Sequence, residues 1–125
     1  MIQTYLVNRM LFNFEEDIKI FIKPGRTDLR KAINGLSAIV KSEMKLDPLS
    51  GYLFLFCNKD RHLLKCLFWD KNGFVLWQKR LEKDNFPWPK IEKVKRELSH
   101  EELQWLLEGI DFFHKHEEVL YSSAI

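Results

Sequence analysis

No stretch of this chain is apolar for long enough to cross a bilayer. The longest candidate, Leu63 to Trp69, is broken by Lys65 and stopped by Asp70. The N-terminus lacks the charged region, apolar stretch and small-residue cleavage site of a signal peptide, so a cytoplasmic protein without a membrane partner is expected. Cysteine is scarce. Cys57 and Cys66 are not spaced as CxxC, and both stand in apolar segments. Buried reduced thiols are the expectation, with a disulfide or metal pair as the alternative. Also missing are a serine nucleophile elbow, a glycine-rich phosphate loop and a zinc signature. These absences remove the common routes to intrinsic chemistry, and no cofactor is expected.

What remains is an ordinary globular composition, 46% hydrophobic and 30% charged over 125 residues, enough for one domain with a real core. Ten Phe, four Trp and three Tyr supply much buried area per residue. The net charge of +2 hides an asymmetry. Residues 19–80 hold thirteen Lys/Arg against five Asp/Glu, whereas residues 81–125 hold six against ten. A basic middle between acidic ends marks a polyanion-facing patch or two surfaces that attract one another.

Residues 1–17 read as an N-terminal extension, with Met10 as an alternative start, and 18–125 as a single α+β domain. Ile18 to Lys23 alternates like a strand and ends at the Pro24-Gly25 turn. Thr27 or Asp28 then caps an amphipathic helix over 29–44, with Leu29, Ala32, Ile33, Leu36, Ile39, Val40 and Met44 on one face. Gly35 inside that helix suggests close packing. Strands are expected at 52–57, 63–69 and 74–79, the last two joined by Asp70-Lys71-Asn72-Gly73, whose Asn-Gly pair suits a type I′ turn. The expected fold is therefore an antiparallel sheet of about four strands with the long helix packed on it. Residues 90–97 fit strand or loop. Ser99-His100-Glu101-Glu102 is a capping box opening a smaller C-terminal helix that Gly109 closes. The tail from Asp111 reads as a further helical turn or a frayed end.

A nuclease needs carboxylates gathered around divalent metal. Asp28, Asp47, Asp60 and Asp70 each have a simpler role at a cap, a turn before proline, a hairpin tip and a turn start. His114-x-His116 offers two ring nitrogens without a third ligand nearby. The cations are better candidates: Arg26, Arg30 and Lys31 near the helix start, Lys59, Arg61 and Lys65 around the first hairpin, and Lys79-Arg80. Such groups hold phosphate oxygens and release counterions. The plainer alternative is that they are solvated and that the nearby rings are core. Phe86 and Trp88, in a rigid Phe-Pro-Trp-Pro loop, are candidates for docking a protein partner.

Four strings carry a resemblance: Gly25-x-Thr27-Asp28-Leu29-Arg30-Lys31 with Gly35-Leu36; Pro48-x-x-Gly51-x-x-Phe54-x-Phe56-x-Asn58-Lys59; Lys65-x-x-x-Trp69-Asp70-x-x-Gly73-Phe74; and Lys79-Arg80-Leu81-Glu82 with Phe86-x-Trp88-Pro89. In this order they resemble the second-open-reading-frame accessory proteins of bacterial insertion sequences of the sixty-sixth type, over roughly residues 18 to 110. The chain departs from that pattern at Leu29, where Met is usual, and at Asp60 and Leu63, hairpin positions that are often basic. The resemblance implies a role in transposition beside a separate acidic-triad transposase. It implies as partners DNA at the element's ends and that transposase, and it leaves self-association open. A protein–protein adaptor without DNA contact is the competing reading.

Overall fold

The computed structural model describes residues 18–90 and 95–113. The expected extension at 1–17, the His114/His116 pair and the tail beyond Phe113 lie outside them. The α+β class holds, but the sheet has five strands and is mixed. Its strands are β1 (Ile20–Ile22), β2 (Leu53–Cys57), β3 (Leu63–Asp70), β4 (Gly73–Arg80) and β5 (Arg96–Leu98), in spatial order β4-β3-β2-β1-β5. Helix α1 (Ile33–Ser42) connects β1 to β2, and α2 (His100–Glu108) follows β5.

The all-antiparallel expectation fails at one pair. β1 runs parallel to β2, with Ile20 opposite Leu53 and Ile22 opposite Leu55. The cause is the helix between them, since a parallel pair needs a crossover of about a dozen residues or more. β2, β3 and β4 form the expected meander. β5 closes the other side, antiparallel to β1 with Ile20 opposite Leu98.

The sheet is covered on both faces. Leu53, Leu55 and Cys57 point to one side, and Phe54 and Phe56 to the other. This is why β2 is apolar throughout rather than alternating. Phe54 and Phe56 meet Leu36, Ile39 and Val40 of α1 with Met44 just beyond it. The opposite face packs on Leu103, Leu106 and Leu107 of α2, with Phe86, Trp88, Phe112 and Phe113. The chain after Asp111 therefore starts by burying two aromatic rings.

Helix α1 is shorter than its apolar stripe suggests. It begins at Ile33 behind Ala32, which is extended and gives no side-chain cap. Thr27 and Asp28 do not cap it. Asp28 closes a local turn instead: its carboxylate accepts from Arg30 N at 3.0 Å and its carbonyl from Lys31 N at 3.2 Å. Aspartate competes with helix in this way. Gly35 lies where a Cβ would stand 3.0 Å from Lys31 Cβ, which accounts for glycine at that position. The β3–β4 turn also differs from expectation. Its two central residues are Lys71 and Asn72, with Lys71 at φ 54°, and Gly73 already belongs to β4. The capping box of α2 is present in full: Ser99 Oγ accepts from Glu102 N and Glu102 Oε1 from Ser99 N, while Gly109 ends the helix at φ 79°.

Cys57 and Cys66 are free and wholly buried. Burial pushes the Cys57 thiol up to about 12 and Cys66 higher still. Neither thiol should react with Ellman's reagent in the native protein, and both should titrate after unfolding in guanidinium. Rapid native labelling of either one would contradict this burial.

Candidate nucleic-acid interface

Two loops leave the same end of the parallel pair: residues 23–32 after β1 and 58–62 after β2. They are tied together by Thr27 N, which donates to the Cys57 carbonyl at 2.8 Å. Between them lies an open groove of about 640 Å³ lined by Arg26, Arg30, Lys59, Asp28, Asp60 and Leu63, among others. Crevices at the carboxyl ends of parallel strands are where open α/β sheets receive ligands.

The hairpin side of the groove is firmly held. Asn58 Oδ1 accepts from both His62 N and Leu63 N, at 3.0 and 3.1 Å. Phe86 N donates to the Arg61 carbonyl, Leu81 N to the His62 carbonyl, and Asn85 Nδ2 to the Asp60 carbonyl. Arg61 itself is in the left-handed region, φ 59°. A strand-ending asparagine before a charged loop is the sequence signal for this knot. On the other wall, Thr27 is buried, and its hydroxyl has no hydrogen-bond partner among the described residues.

The eight candidate cations divide sharply. Arg26, Lys31, Lys59 and Arg61 are exposed. Arg30 is exposed too, but it makes a forked contact with Asp28, Nη2 to Oδ2 at 2.7 Å. That contact holds the Asp28 carboxyl down at about 2, chiefly through the Arg30 side-chain hydrogen bond. Arg80 pairs with Glu82 at 2.9 Å. It stands opposite Leu63 in the β3–β4 ladder, next to the groove. Lys65 and Lys79 face inward. Lys65 Nζ donates to the Leu29 carbonyl at 2.8 Å, and Lys79 Nζ to the Leu107 carbonyl at 2.7 Å near the end of α2. Burial pulls the Lys79 ammonium below its ordinary range. Among the described residues no three His, Cys, Asp or Glu side chains gather where they could hold a metal ion.

The family model described as IS66 Orf2 like protein matches residues 18–117. The chain belongs to the IS66 Orf2-like family. It is 36% identical over 102 residues to Uncharacterized protein y4hO of Sinorhizobium fredii (strain NBRC 101917 / NGR234), covering 82% of this chain and 89% of that one. Uncharacterized protein y4jC of the same organism is 34% identical over 95 residues, covering 76% of this chain and 81% of that one. No solved structure gives a significant match. Membership in the IS66 Orf2-like family connects the chain with transposition of an insertion sequence. Among the described residues no helix is long and apolar enough to cross a membrane.

The aromatic loop of this family member, for which docking is the expectation, turns its rings into the fold. Phe86 is fully buried, and Trp88 is 9% exposed. Trp88 Nε1 donates to the carbonyls of Lys23 and Gly25, both at 3.0 Å, while Gly25 N donates to the Pro89 carbonyl. Two prolines hold the loop so that its rings fill the α2 face and its backbone anchors the turn leading to Arg26. Trp88→Phe should therefore cost about 1–3 kcal/mol in chemical denaturation, because two part-buried carbonyls lose their donor. A variant of wild-type stability would show that the indole N–H is dispensable.

Proposed function

We propose that this IS66 Orf2-like chain is a non-catalytic accessory to transposition that holds DNA by its phosphates along the groove between residues 26–30 and 58–63. The observation that carries the reading is convergence: Arg26 and Arg30 come from one loop, Lys59 from another some thirty positions on, and all three line one open groove. Lys31 and Arg61 are exposed neighbours in the same two segments. Contacts of this type supply affinity without reading bases. The strand-transfer chemistry is assigned to the element's separate transposase, the second expected partner. Lys65 and Lys79 drop out of the phosphate set because their ammonium groups are engaged by carbonyls. An adaptor role through Phe86 and Trp88 is disfavoured by their burial.

Fluorescence anisotropy with a duplex carrying the element's end, beside a random duplex and over several salt concentrations, tests this. Arg26→Ala and Lys59→Ala should each lower the salt slope by about one, with little change in stability. Asp28→Asn should strengthen binding, most at low salt, since it removes a carboxylate from the groove and releases Arg30. The wild-type carboxylate stays charged down to about pH 2, so that gain should not vary across neutral and mildly acidic buffers. Absence of binding to either duplex at low salt sinks the reading. Purified protein should also leave supercoiled plasmid intact with magnesium or manganese. Cutting that vanishes in a stable Asp28→Ala or Asp70→Ala variant would overturn the non-catalytic assignment.

A further inference from the structure

We propose that β4 is a self-association edge, along which two copies of this chain join their sheets by antiparallel pairing of β4 with β4 of the second copy. The proposal is independent of the DNA groove. β4 ends the sheet, and its eight residues pair with β3 in an unbroken ladder from Gly73 opposite Asp70 to Arg80 opposite Leu63. Nothing among the described residues pairs with its other side.

The hydrogen-bond alternation tells which groups face outward. The two-residue turn makes Asp70 and Gly73 the closing bonded pair, and bonded pairs recur at every second position. Leu81 N, which donates to the His62 carbonyl at 2.8 Å, continues that alternation beyond the strand. Gly73, Val75, Trp77 and Lys79 therefore direct their backbone groups to β3. Phe74, Leu76, Gln78 and Arg80 direct theirs away from the sheet.

Sheet edges are usually guarded by charge, proline, a bulge or shortness. The opposite edge, β5, is guarded: it has three residues, two of them Arg96 and Glu97. β4 has no proline and no bulge; its charges, Lys79 and Arg80, are confined to its last two positions, which leaves the six residues from Gly73 to Gln78 unguarded. Phe74, Val75, Leu76 and Trp77 are only half-buried, on both faces of the strand.

A second copy fits this edge because of where its cations lie. Lys79 and Arg80 stand together at the end of the strand. Two-fold antiparallel pairing sends the two cationic ends to opposite ends of the joint and lays the uncharged run against itself. Centred on Leu76, it sets outward-facing residues against outward-facing residues, with Phe74 opposite the second copy's Gln78. A joint of this kind is isologous and closes with two subunits.

The test uses the full chain. Sedimentation equilibrium should show reversible dimerisation. Amide exchange followed by NMR at low and high protein concentration should then separate the two sets of residues. The amides of Phe74, Leu76 and Gln78 should slow by about tenfold or more on dimerisation, while those of Val75, Trp77 and Lys79, already bonded to β3, should hold steady. Gln78→Pro removes one outward N–H without touching the β3 ladder, and should weaken the dimer by about tenfold or more with far-UV circular dichroism unchanged. A chain that stays monomeric at the highest concentration overturns the proposal. So does a dimer whose newly protected amides lie off β4, or one indifferent to a folded Gln78→Pro variant. Should that variant fail to fold, the exchange pattern of the unaltered chain decides.

Discussion

Strand β2 is hydrogen-bonded on both edges and buried on both faces, so it has no side on which water can be tolerated. Each Phe on its α1 face contributes about 1.5–3 kcal/mol when fully covered. Leu53, Leu55 and Cys57 make the same demand on the other face. One face is met by the crossover helix, and the opposite one by α2 and the Phe86–Trp88 loop. Removing either cover would expose half of a wholly apolar strand. The loops that frame the groove are the two exits from this strand pair, so the position of the candidate site follows from the same constraint.

The electrostatics of that end depend on which cations already have partners. Arg30 and Arg80 sit in exposed pairs, with side chains 91% and 69% accessible. Exposed pairs are worth about 0–1 kcal/mol, so neither guanidinium is firmly committed to its carboxylate. Lys65 and Lys79 differ. They lie on opposite faces of the sheet, each with its ammonium on a main-chain carbonyl, and they fasten the 23–32 loop and α2 to the strands beneath. Two charges that count toward a basic stretch on paper thus belong to the fold.

Much of this was legible in the sequence. Strands β2, β3 and β4 fall within a residue of their expected bounds, because apolar runs between charged turns have few other uses. The Ser99 capping box was legible for the same reason: its hydrogen bonds are local. The direction of β1 was not, since a buried strand reads the same whether its neighbour runs parallel or antiparallel. The start of α1 was hidden because Asp28 suits a helix cap and a tight turn equally well, and the decision falls to Leu29, whose side chain is buried and whose carbonyl goes to Lys65. In the Phe-Pro-Trp-Pro loop, rigidity was visible, but the inward placement of the Trp88 ring depends on the distant carbonyls of Lys23 and Gly25. At the groove, the cationic residue types were legible; their convergence depended on the crossover.

The place of β1 between β2 and β5 also sets an order of events. This strand leaves the ribosome before either neighbour, and β2 arrives only after a helix has been made. β5 comes near the far end of the described chain. Residues 20–22 therefore wait through most of synthesis, first with no partner and then with one edge open. The part of the sheet translated first is thus the part whose hydrogen bonds cannot all be made until Leu98, its partner on β5, has been added to the chain.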